Sequence, residues 1–161
     1  MIIPLTRGKS CVIDDADWPL VSPYRWIAIC CSRKNDLFYA AHPYRRADGK
    51  WTVILMHRLM LFGWGKNPLV SDHRDGDGLN NQRENLRACT SAQNNCNRKK
   101  GDTRNLVKGV EAKNGKFRAR IVVAGRRIDL GTFRALADAE LAYQKAAVQY
   151  HGEYACFGVR E

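Results

Sequence analysis

The sequence predicts an α+β protein built in three parts, and three observations carry that expectation. The first third is a series of β-branched and aromatic runs separated by turn residues, the middle reads strand, loop, strand, helix, and the last third reads as three short strands followed by one amphipathic helix. At 161 residues the chain can form one domain or two small ones, and an apolar content of 45% with four Trp is enough for a folded core.

In residues 1–56 the strand-like runs are CVI at 11–13, RWIAICC at 25–31, LFYAAH at 37–42 and WTVILM at 51–56. DDADWP, RKND and RADGK separate them with turn chemistry, and the whole reads as a small β-rich platform whose aromatics serve as core. HRLMLFGW at 57–64 then predicts a short helix ending at Gly63 or Gly65. KNPLVSDH leads a strand into Asp72 and His73, DGDG forces a tight turn, and NLRACT at 85–90 returns. Thr90 or Ser91 can cap the helix SAQNNCNRKK, whose basic end suits the negative helix terminus.

GDTRN at 101–105 reads as a polar linker. VKGVEA, KFRARIVV and RRIDLGTF follow as three strands joined at Asn114-Gly115 and Ala124-Gly125, the first a strong hairpin signal. The closing helix, ALADAELAYQKAAVQYHG, carries Leu136, Ala139, Tyr143, Ala146, Ala147 and Tyr150 on one face and stops at Gly152.

Composition narrows the function. No stretch approaches about 18 consecutive apolar residues, and MIIPLTRGKS lacks a signal-peptide pattern, so a soluble intracellular protein without membrane partners is expected. The six cysteines include no Cys-x-x-Cys pair, so they read as small buried hydrophobes and no structural zinc is expected. The net charge is +11, and from Arg98 to Arg127 eleven Lys/Arg face only Asp102 and Glu111. A positive field that concentrated draws polyanions, which makes nucleic acid the leading partner.

The stretch SDHRDGDGLNNQRENLRACTSAQNNCNRKK at 71–100 gathers residues that build poor cores and good sites or turns. Phosphodiester hydrolysis needs an activated water, a cation against developing charge and a stabilised leaving oxygen. His73 can accept the water proton, Asp72 can bind a hard cation, Asn94 can add an oxygen ligand, and Asn85 can accept the other ring N–H of His73. Neighbours on a regular strand face opposite sides, so bringing Asp72 and His73 to one groove requires a bend there.

His57-Arg58-Leu59 followed by DHRDGDGLNNQRENLRACTSAQNN resembles the HNH family of nucleases, in the ββα-metal class that includes phage homing endonucleases, over about residues 55–98. The resemblance implies that Asp72 and Asn94 are metal ligands, His73 the general base and Asn85 the residue that orients it, with Mg²⁺ or Mn²⁺ as the ion. Asn94 stands where many relatives carry a final His. Asn80 and Asn81 are assigned to loop hydrogen bonding and His42 and His151 to structural roles, while His57, which opens the family pattern, is left outside the catalytic set without a settled role.

From Gly109 onward, GKFRARI, LGTF at 130–133, AExAYxxAA at 139–147 and HGE at 151–153 resemble the DNA-binding domain of plant ethylene-response factors, the Apetala-two class, which also occurs on phage HNH nucleases. The implied organisation is a nuclease domain over 1–100, the linker at 101–105 and the DNA reader over 106–161. Lys116, Arg118, Arg120, Arg126 and Arg127 are its DNA-contacting candidates. The family pattern places DNA-facing residues on the parity of Phe117, which leaves Arg118 and Arg120 unassigned to base edges, and Glu111 stands where plant members commonly carry a base-reading Arg. The function expected from both resemblances is a metal-dependent endonuclease on double-stranded DNA, of the homing or free-standing phage type. It would work in the cytoplasm, that of the host cell if phage-encoded, as a monomer or homodimer. The alternative is a DNA-binding regulator on an inactive nuclease scaffold.

Overall fold

The structure, a computed structural model, describes residues 1–32, 36–97 and 108–157, so the expected linker at 101–105 lies outside the described residues. The chain divides into two units, Met1–Ser91 and Ala92–Glu161. Mixed α and β elements in small antiparallel sheets fill both, as the α+β expectation requires.

In the first unit β1 (Ile2–Pro4) pairs antiparallel with β2 (Ser10–Val12), and the Asp14–Asp17 turn feeds one helical turn, α1 (Trp18–Val21). Neither β1 nor α1 was legible in the sequence pattern. β3 (Ile27–Ser32), β4 (Leu37–Arg45) and β5 (Trp51–Leu55) form an antiparallel sheet in that order. The runs LFYAAH and WTVILM supply its centre and one edge, where β-branched and aromatic side chains fit the pleat. α2 (Met56–Phe62) follows β5 directly and buries Met56, His57, Leu59 and Met60 against a core that includes Ile13, Val21, Trp26 and Ile54. Removing the side chains of Met56 and Leu59 alone from water is worth roughly 3–6 kcal/mol.

β6 (Val70–His73) and β7 (Leu86–Cys89) make a separate two-stranded ribbon that packs on α2. None of the six cysteines forms a disulfide.

The second unit begins in α3 (Ser91–Asn97) and holds a sheet in the order β10-β9-β8, from β8 (Val110–Lys113), β9 (Lys116–Val123) and β10 (Arg126–Phe133). Both hairpins turn as the dipeptides foretell, with Asn114 and Gly115 at φ 51 and 69 and Ala124 and Gly125 at φ 49 and 78. Two consecutive left-handed residues match the twist of the strands they join. α4 (Leu136–His151) lies on the sheet and buries Ala139, Tyr143, Ala146 and Ala147 over Val110, Ala119 and Ile121. Tyr150, expected on that apolar stripe, is exposed instead, because it sits in the last turn of the helix beyond these contacts.

Candidate functional site

The ribbon β6-β7 places the central residues. Asp72 sits opposite Arg87 and His73 opposite Leu86, in a ladder that stays regular through His73. The expected bend between Asp72 and His73 is therefore absent; it comes after His73, where Arg74 N–H donates to the Asn85 carbonyl and Gly76 N–H to that of His73. The two side chains accordingly meet different partners. Asp72 Oδ2 accepts Arg87 Nε at 2.8 Å and Nη2 at 2.7 Å, both residues being buried. An ion pair withdrawn from water survives only when its geometry returns most of the desolvation cost, and a guanidinium aimed through two nitrogens at one carboxylate does so.

His73 is enclosed by side chains from three elements. Its ring stacks on Tyr39 of β4 at 5.7 Å, meets His57 of α2 edge-on at 4.7 Å, and brings Nε2 to 3.3 Å from Asn81 Oδ1. Asn81 Nδ2 donates to the Leu79 carbonyl, which fixes the amide with its oxygen toward the imidazole. An amide oxygen only accepts, so Nε2 carries the proton and the neutral ring has its lone pair at Nδ1. Burial pushes the His73 pKa below its ordinary value, against the Asn81 hydrogen bond and the charges of Asp75, Asp72 and Asp77. A neutral imidazole is the form that accepts a proton.

The hydrogen bond expected from Asn85 to His73 is made by Asn81. Asn85 is buried, and its amide is committed to the 74–80 loop: Nδ2 donates to Asp75 Oδ1 at 3.0 Å and to the Asn80 carbonyl at 2.7 Å, while Oδ1 accepts Asp75 N–H at 3.1 Å. Asp75 also accepts from Asp77 N–H and Asn80 Nδ2. The DGDG segment is thus a cross-braced loop in which the Asp75 carboxylate is spent on one backbone N–H and the side-chain amides of Asn80 and Asn85, and the Asp77 carboxylate on Leu79 N–H. Gly78 is needed because a Cβ there would overlap the Phe38 carbonyl oxygen and the Tyr39 ring. That close approach presses the loop onto the strand that stacks His73. Arg83 ties the other end down, through its N–H to Asp14 Oδ2 and its guanidinium to Asp17 and the Met60 carbonyl.

Asn81 and Arg87 are the residues that sequence reading undervalued. The doublet NN and the strand NLR were visible, but which Asn meets His73 depends on the loop's fold, and which residue faces Asp72 depends on strand register. His57 also gains weight. It is buried, its Nδ1 has no hydrogen-bond partner, and desolvation, then the neighbouring His73 and Arg58, pushes its pKa well below the ordinary histidine value.

In the second unit Asn94 lies half-buried on α3. On β9, Ala119 and Ile121 are buried under α4 and Phe117 packs against them, so Lys116, Arg118 and Arg120 project from the opposite, open face. The parity expected for DNA contacts is therefore reversed: the Phe117 side is core. Register carries Arg127 and Thr132 of β10 and Glu111 and Lys113 of β8 to the same open face. Arg126 lies opposite Val123, on the other parity, and is exposed at the strand's end.

No protein-family model matches the chain. The chain is similar to an uncharacterized HNH endonuclease of Acanthamoeba polyphaga mimivirus, with 26% identity over 154 residues, which span 94% of this chain and 76% of that protein. That likeness supports an HNH family.

The donor chemistry at Asp72 suits a hard cation. A carboxylate offers about four acceptor positions, so its ion pair with Arg87 is compatible with a cation on the same group. Among the described residues no group of three or more His, Cys, Asp or Glu is placed to hold a metal ion. An ion at Asp72 would draw most of its shell from amide oxygen, water and substrate phosphate. No helix among the described residues is long and apolar enough to cross a membrane.

Proposed function

We propose that this chain is a metal-dependent DNA endonuclease of the HNH type, hydrolysing phosphodiester bonds with His73 as general base. The observation that carries the reading is the orientation of His73: neutral, buried, its Nε2–H committed to Asn81, its basic lone pair on Nδ1. In the step envisaged, His73 Nδ1 takes a proton from water as the oxygen attacks phosphorus, and the bond to the leaving sugar oxygen breaks. Asp72 would hold Mg²⁺ or Mn²⁺, with Asn94 as the second protein oxygen donor that the sequence pattern offers. Because the ladder is regular through His73, bringing the neighbouring Asp72 and His73 side chains to one phosphate requires the end of β6 to bend when DNA and the ion bind. The ion, when bound, supplies charge neutralisation at the phosphate and at the leaving oxygen. The loop held by Asn85 and Gly78 keeps Asn81, and through it the imidazole, in place.

The open face of the second unit, with Lys113, Lys116, Arg118, Arg120 and Arg127, supports duplex DNA as the partner and an Apetala-two-like role for that unit. A three-stranded sheet of this size fits the major groove, where base edges are distinguishable. Homing or free-standing phage-type action in a host cytoplasm is the finer reading that accompanies it.

A second reading rests on one observation. The Asp72 carboxylate is already in a buried ion pair, which a DNA-binding regulator on an inactive scaffold would also carry. Incubating supercoiled and linear duplex DNA with the wild type and His73→Ala, with Mg²⁺, Mn²⁺ or chelator, decides between them. The nuclease reading expects metal-dependent nicks or breaks that fall about 10²–10⁴-fold in His73→Ala, with DNA binding retained. Binding without cleavage under every metal condition would favour the regulator.

A further inference from the structure

Two arginines at the centre of the open face of β9 are each held by a carboxylate. Arg118 donates to Asp129 Oδ2 from Nε at 2.8 Å and also from Nη2, and Arg120 donates from Nη2 to Glu111 Oε2. The pairs cross diagonally: Glu111 lies directly opposite Arg118 yet bonds Arg120, and Asp129 lies directly opposite Arg120 yet bonds Arg118. The result is a lattice of alternating charge across three strands.

Asp129 is itself fixed. The strand is bulged between Asp129 and Gly131, and Gly131 N–H donates to Asp129 Oδ1 at 3.0 Å, so both carboxylate oxygens have partners before any ligand arrives. The Arg118 guanidinium first, then the Gly131 N–H, hold its carboxyl below the usual carboxylate range.

Phosphate contact draws most on a cation whose charge no neighbouring carboxylate already offsets. These two arginines are the reverse, since each carries its own counter-charge and has lost side-chain freedom. Arg118, bound through Nε and one Nη2 hydrogen, keeps its end-on pair, one hydrogen each from Nη1 and Nη2, and Arg120, bound through Nη2 alone, also keeps a pair of parallel N–H groups for a ligand. Such a pair matches the O6 and N7 acceptors of guanine in the major groove.

We propose that Glu111 and Asp129 are specificity-determining residues, which hold Arg120 and Arg118 as prearranged guanine readers and keep them off phosphates. Lys113, Lys116 and Arg127, on the same face and outside these pairs, are left for the backbone. The proposal rests on the reading of this unit as a DNA binder. It goes beyond it in assigning the acidic residues, which a simple electrostatic footprint would count as liabilities, to sequence selection.

The test uses the full chain carrying His73→Ala, so that DNA is bound without being cut. Binding sites are selected from a randomised duplex library for this protein and for versions that add Asp129→Asn, Glu111→Gln, or both. Affinities are then measured on the selected duplex, on a scrambled one, and on copies with 7-deazaguanine at single guanines. The expected site contains guanines whose replacement by 7-deazaguanine, which removes N7 and leaves O6, weakens binding by roughly 10-fold, the loss of one of the two hydrogen bonds in a bidentate contact. Asp129→Asn and Glu111→Gln should each lose the preference at one guanine while binding scrambled DNA as tightly or more tightly, because a negative charge has gone. Unchanged guanine preference in both variants would overturn the proposal, as would a selected site indifferent to 7-deazaguanine. If the parent protein binds neither duplex, the DNA-binding reading itself falls and takes the proposal with it.

Discussion

Asn81 holds its side-chain oxygen 3.3 Å from Nε2 of His73, and the two residues are 0% and 5% exposed. Without that oxygen the proton loses the acceptor that holds it on Nε2, and only one tautomer has its lone pair at Nδ1. Asn81→Ala is therefore expected to lower the cleavage rate by about 10–10²-fold, the usual cost of removing a group that orients another. Duplex affinity should change little. Rates, affinity and thermal melting measured on one preparation check this: full activity would remove Asn81 from the mechanism, and a collapsed melting transition would make its role one of folding.

The Asp72–Arg87 pair gives the second prediction. Arg87→Met keeps the volume of the side chain and removes its charge, leaving a buried carboxylate without its guanidinium. Such half-removals cost about 3–5 kcal/mol. Urea titration of the variant should show that loss. If its stability matches the wild type within about 1 kcal/mol, Asp72 is not committed to Arg87 in solution and is open to other partners.

Much of this architecture could be read from the chain because local signals agreed with the final packing. The Asn114-Gly115 hairpin, the β9 run KFRARIVV and the α4 stripe each state their structure within a dozen residues. What escaped was set at a distance. β1 is three residues whose ladder depends on Ser10–Val12, and the partner of Asp72 depends on a register fixed by the 74–85 loop. The face of Arg118 and Arg120 illustrates the point differently. The apolar alternation Phe117, Ala119, Ile121 is the core side under α4, against the parity suggested by family resemblance. At the site, DH and the Asn-rich loop announced chemistry, but the choice between Asn81 and Asn85 as the imidazole's partner is made by tertiary structure.

Gly78 offers a prediction about the loop rather than its polar groups. A Cβ at this position overlaps a backbone oxygen, that of Phe38, as well as the Tyr39 ring, so relief requires main chain to move. Gly78→Ala is expected to displace the 74–81 segment and with it Asn81, cutting activity by at least as much as Asn81→Ala. The second unit should fold as before. Amide hydrogen exchange would show faster exchange over 74–81 and unchanged protection over β8, β9 and β10; activity at the wild-type level would mean that the loop tolerates the shift.

The last prediction concerns acid and His57. In the folded protein its pKa lies well below 6.5, because burial beside His73 and Arg58 disfavours the cation, whereas the unfolded chain carries an ordinary histidine titrating near 6.5. Above about pH 6.5 both states are neutral at this position and the full stability is present. As pH falls from there toward the folded-state value, the unfolded chain binds a proton that the folded chain refuses, so stability falls, by at most about 1.4 kcal/mol per pH unit for one group. His73, also shifted downward, adds to the loss with the same sign. His57→Phe keeps a ring against Tyr39 and His73, cannot take the proton, and removes the unpartnered Nδ1. The variant should be no less stable than the wild type at pH 7.5, and its stability should decline more shallowly between pH 6.5 and 5. Urea unfolding curves of both proteins across that range measure the difference in slope, and parallel declines would show that His57 is not what resists protonation.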